Sequence, residues 1–175
     1  MEKNSISSQG IKTGVLAGVV SIVVVLLTYI LNISMFKWPF MVLSYALLIG
    51  VMIYGLLQFR KANGGFMAFA QAILIVLVAG VICSIISYFF NLLYYNFINP
   101  NYLNEIIEYS RGIYEKAGIV MNEQMEEMIR TNAEKNMHFS VLNFVISIVV
   151  SLVAWSIFGS ILGAIFSKKD PSAIA

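Results

Sequence analysis

Asn99–His138, NPNYLNEIIEYSRGIYEKAGIVMNEQMEEMIRTNAEKNMH, is the one long stretch of this chain that cannot lie in a bilayer, because it holds eleven of the twenty charged residues. The segments on either side are apolar runs of roughly 18 residues or more, the length that crosses a hydrocarbon core as helix. The chain has 175 residues, of which 59% are hydrophobic and 11% charged, whereas about a quarter of an ordinary soluble domain is charged. These proportions define an integral membrane protein. The expected fold is all-α: one membrane domain over residues 1–175, a bundle of four transmembrane helices with a helical extramembrane insertion between spans three and four. The length leaves no room for a second, soluble domain.

In chain order, residues 1–13 are polar and carry Lys3 and Lys12. The first apolar run, residues 14–31, is longer than a signal-peptide core and lacks a small-residue cleavage site after it, so it is expected to be retained as span one. A short turn, NISMFKWP, places Trp38 at an interface and Pro39 in the first turn of span two, residues 40–58, where its missing N–H does no harm. Arg60, Lys61, Gly64 and Gly65 then form a tight hairpin. Span three covers residues 66–90 and exits through Tyr94, Tyr95 and Phe97, aromatic residues suited to an interfacial belt. Span four, residues 139–166, is closed by Lys168 and Lys169. None of the four runs contains Asp, Glu, Lys, Arg or His.

Basic residues set orientation. The N-terminus, the second connection and the C-terminus each carry two, the first connection has only Lys37, and the insertion has four against seven acids. Both termini are therefore expected in the cytoplasm, in a cell inner membrane, with residues 99–138 facing outward. The net charge of +2 is too small and scattered for a nucleic-acid surface. Cys83, the single cysteine, lies in an apolar run and excludes an intrachain disulfide.

Two amphipathic helices can be read in the insertion. From Tyr102 to Ala117 the less polar stripe is Leu103, Ile106, Ile107, Ser110, Ile113, Tyr114 and Ala117, with Gly118 as the stop. From the N-cap Asn122, a second helix gathers Met121, Met125, Met128, Ile129 and Met137 on one face and is open to running directly into span four. The hairpin and span RKANGGFMAFAQAI (residues 60–73), the tyrosine-rich exit and the turn FINPNYLNE (residues 97–105) before an acidic helical segment and a last span resemble domain of unknown function 4199. That is a family of small bacterial multi-span membrane proteins, and the resemblance extends over nearly the whole chain. It implies the four-span layout and supplies no catalytic residue.

Candidates for chemistry are few. His138 has no partners at metal-ligand spacing, the methionine stripe is read as a packing face rather than a soft-metal site, and the seven acids lack a calcium-type loop. No cofactor or metal is expected. Inside the spans, Gln71, Ser84, Ser87 and Asn91 on span three and Asn143, Ser147 and Ser151 on span four are expected to face one another as a polar seam that aids helix packing. Gly10, Gly14 and Gly18 at the inner end of span one and Gly159 and Gly163 at the inner end of span four recur every four residues, and the two rows are expected to pack against each other or to form a subunit interface. Without ionisable groups in the spans, coupled transport and intramembrane hydrolysis have no machinery. The protein is accordingly read as no enzyme. It is expected to be a structural, assembly or accessory protein in contact with the lipid bilayer, with a membrane-protein partner or a second copy as its binding partner. The alternative is a small oligomeric channel or transporter.

Overall fold

The computed structural model describes residues 5–168, so Lys3 and Lys169, used above to assign orientation, lie outside the described residues. Four long helices carry the apolar runs: α1 (Ile6–Ile30), α2 (Trp38–Ala62), α3 (Phe69–Leu93) and α6 (Val141–Phe166). Each is long and apolar enough to cross a membrane. A helix of 25 residues rises about 37 Å, somewhat more than the ~30 Å hydrocarbon core, and so can cross with tilt. Between α3 and α6 lie a π-helical turn (Tyr94–Ile98) and two shorter helices, α4 (Tyr102–Lys116) and α5 (Glu123–Met137). The chain is thus an all-α membrane bundle with a helical insertion.

Local chemistry sets most of the helix ends. Ser5, Asn122 and Ser140 each accept a hydrogen bond from the backbone N–H three residues on, at 3.1, 2.9 and 3.4 Å, and so cap α1, α5 and α6. The cap at Ser140 follows extended backbone at His138, so α5 does not run into α6 as one helix. Gly118, at φ +74°, ends α4 where a side chain would be strained. The first three helices also extend past the limits of their apolar runs. Lys12, Arg60 and Lys61 are consequently helical residues at the bundle end.

The spans are arranged around α3. Helices α1 and α6 pack along two sides of it and scarcely touch each other, and α2 leans mainly on α1. The buried core (Ala17, Met52, Leu56, Phe59, Met67, Ala72, Ile75, Val76, Ala79, Cys83 and Leu162) gathers toward the end where α1 begins and α6 finishes. In the opposite half of α2, Val42, Leu43 and Tyr45 are exposed, as expected of side chains facing lipid. At the gathered end, the backbones of Met67 and Lys168 exchange two hydrogen bonds of 3.0 and 2.8 Å. Arg60 donates to Gly65 O at 2.9 Å and to Phe166 O at 3.5 Å. One guanidinium therefore ties the α2–α3 hairpin to the carbonyl end of α6, where a cation is also favoured by the helix dipole.

Candidate functional site

The glycine rows pack against α3 rather than against each other. A Cβ at Gly14 would lie 2.6 Å from Ala79 O and 2.7 Å from Ile82 Cβ, and one at Gly18 would lie 2.8 Å from Ile86 Cδ1. On the other side of α3, Gly159 sits 3.3 Å from Ile73 and Val76, and Gly163 sits 3.1 Å from the Phe69 ring, on the same Cβ construction. The expected α1–α6 contact is therefore corrected, because α3 lies between the two rows and each lets a backbone approach it. Glycine permits close approach without selecting the partner.

The expected seam between α3 and α6 is corrected in the same way. Ser84 does join them, but it accepts from the Trp155 indole at 3.2 Å. Ser87 faces Ser21 of α1 at 3.5 Å. On α6, Ser147 and Ser151 donate to Asn143 O and Ile148 O of their own helix, both at 2.8 Å. Asn143 reaches Lys135 O of α5 at 3.4 Å. Gln71 accepts from Ala68 N at 2.9 Å and caps the start of α3, and Asn91 is half-buried near its end. These residues stay apart because successive serines on a helix can bond their own i−3 or i−4 carbonyl, which removes the need for a partner.

Two contacts were not read from the sequence. Trp155 lies over Gly80 at the α3–α6 crossing, and its position in the middle of an apolar run, away from either interface, was the available signal. Between α1 and α2, the buried Gln9 donates to Gly55 O at 3.1 Å and to Thr13 Oγ1 at 3.4 Å. Both polar residues fell in the segment read as a polar leader. They are buried because α1 starts at Ile6.

At the other end, the insertion is stitched to the spans through the π-turn. Asn99, 4% exposed, donates from Nδ2 to Glu105 Oε1 at 3.0 Å and to Tyr94 Oη at 3.3 Å, and its Oδ1 accepts from Asn101 N at 3.1 Å. Its own N–H donates to Tyr94 O at 2.9 Å, the five-residue spacing of a π-turn. Asn96 donates to Met137 O at 2.7 Å, which fastens the end of α5. Aromatic rings run alongside: Tyr95 stacks on Tyr102 at 3.9 Å and Phe36 on Tyr109 at 4.9 Å. Burial, more than the nearby Glu105, pushes the Tyr102 phenol above its ordinary range.

The α4–α5 hairpin is closed by an Arg111–Glu126 pair at 2.9 Å. The inner stripe of α5 is Met125, Ile129, Ala133 and Met137, whereas Met128 is 64% exposed and belongs to the outward side. Ile119 and Val120 form an apolar tip, with Val120 89% exposed. His138 is exposed at the α5–α6 junction. Among the described residues, no three His, Cys, Asp or Glu side chains come together. Where α4 crosses the α1–α2 turn, a groove of about 600 Å³ runs between Lys37 and Trp38 on one wall and Glu108 and Lys116 on the other.

Four apolar spans, one of them central to the packing, with a capped polar hairpin at one end, define a multi-span α-helical membrane protein. Over residues 12–168 the chain matches the model of the family described as protein of unknown function (DUF4199). It belongs to that family. No curated protein matches the chain, and no solved structure does.

Proposed function

We propose that this is a structural, assembly or accessory protein of a bacterial inner membrane, non-enzymatic, that binds a membrane-protein partner through its α4–α5 hairpin. The observation carrying this reading is the apolar tip, Ile119 and Val120, presented on a hairpin held by an interhelical ion pair. Burying these two adjacent side chains against a partner would remove apolar surface from water, which is favourable. A second copy of the chain is the other candidate occupant. The channel or transporter alternative draws less support, because Ser84 and Ser87 are engaged with side chains of neighbouring helices and Ser147 and Ser151 with carbonyls of their own helix.

The test is a photo-reactive residue placed at Val120 in native membranes, with one at Lys61, at the opposite end of the bundle, as control. A discrete protein adduct from position 120 alone is expected, and Val120→Asp should abolish co-purification of that protein while the elution volume of the purified chain is unchanged. Adducts only with lipid would place the tip in the bilayer and overturn the reading. An adduct with a second copy of the chain would replace the foreign partner by self-association.

A further inference from the structure

We infer that the groove between the start of α2 and α4 is a headgroup site for one amine-bearing zwitterionic phospholipid of the leaflet on the α4–α5 side, its phosphate between Lys37 and Lys116 and its ammonium at Glu108. Three charges border a single groove of about 600 Å³. The ion pairs among the described residues are Arg111–Glu126 and Arg130–Glu126, so none of the three is neutralised by a neighbour there. Two cations and one anion match a phosphate joined to an ammonium, and a free anion would leave Glu108 facing like charge.

The rest of the groove suits a lipid rather than a soluble ligand. Trp38, 74% exposed, stands at the first turn of a membrane span, the depth at which indoles settle among headgroups. Met41 and Ile113 extend the lining with apolar surface that acyl chains can cover. The stack of Phe36 on Tyr109 also lines it. Lys37 provides no side-chain cap for α2, and Pro39 follows in its first turn. Although Pro39 has no N–H to donate, the positive end of a 25-residue helix adds to the attraction for phosphate.

The experiment is native mass spectrometry of the full chain in mild detergent with equal amounts of phosphatidylethanolamine, phosphatidylglycerol or phosphatidylcholine, and separately with inorganic phosphate. One phosphatidylethanolamine should be retained in preference to the other two lipids. Lys37→Gln with Lys116→Gln should weaken that binding by about tenfold or more, as both cations bordering the phosphate are removed. Glu108→Gln should leave phosphate contacts intact and erase the preference for phosphatidylethanolamine over phosphatidylglycerol. All three side chains are exposed, and an unchanged helical circular dichroism spectrum confirms that the variants fold. Equal retention of all three lipids, or undiminished binding by the double lysine variant, would overturn the assignment. Inorganic phosphate displacing the lipid at millimolar concentration would do the same, since the site would then be an anion site rather than a lipid site.

Discussion

Gly14 and Gly163 are both small residues at helix crossings, but the atoms facing them differ. A methyl group at Gly14 would meet backbone atoms of α3, Ala79 O at 2.6 Å and Ala79 Cα at 2.9 Å, whereas at Gly163 it would meet the edge of the Phe69 ring at 3.1 Å. Backbone in the middle of a packed helix cannot move aside, while a ring can turn by a few tenths of an ångström. Gly14→Ala should therefore destabilise the protein in detergent by about 1 to 3 kcal/mol, the usual range for overpacking, and Gly163→Ala by much less. Thermal unfolding followed by circular dichroism measures both, and equal midpoints for the two variants would contradict the packing described at Gly14.

At the level of helices, the question is which spans are neighbours. Ser21 of α1 and Ser87 of α3 have their hydroxyl oxygens 3.5 Å apart, a separation that a pair of cysteine side chains can close to a disulfide. Ser21→Cys with Ser87→Cys, in a Cys83→Ala background, should cross-link within one chain under mild oxidation. Gly14→Cys with Gly163→Cys should not, because α3 stands between α1 and α6. Mobility of the oxidised protein on non-reducing gels gives the answer, and the reverse pattern would require α1 and α6 to be adjacent. The same arrangement explains the composition of α3. It is flanked by neighbours on two sides and supplies the small buried residues Ala72, Ala79 and Gly80, which let them come close.

For the whole molecule, the prediction concerns its orientation across the bilayer. The proposed orientation, with both termini in the cytoplasm, would put Lys61 on the cytoplasmic side and Glu115 on the opposite one; both residues are exposed. In a Cys83→Ala background, cysteine at Glu115 should react with an impermeant maleimide in intact cells, and cysteine at Lys61 should react only after the cells are opened. Labelling of position 61 alone in intact cells would invert the topology. The headgroup site would then belong to the other leaflet, with its chemistry unchanged.

The features legible in the sequence are those that depend on one segment and its solvent. Charge cannot lie in hydrocarbon, so the apolar runs and the polar stretch at residues 99–138 marked four spans and an insertion. Asn122 as a cap and Gly118 as a stop follow from local backbone chemistry. Helix limits were less legible: α1 continues eight residues beyond its apolar run, and this brings Gln9 and Thr13 into a buried contact with α2. Only the tertiary structure decided which faces meet. Glycines and serines are compatible with any close neighbour, so their spacing could not say that α3 is central or that Ser84 would find Trp155. Nor could one-dimensional pattern place Lys37 across a groove from Lys116. That juxtaposition arises where the end of one helix pair folds over the turn of another, and no local preference of either segment specifies it.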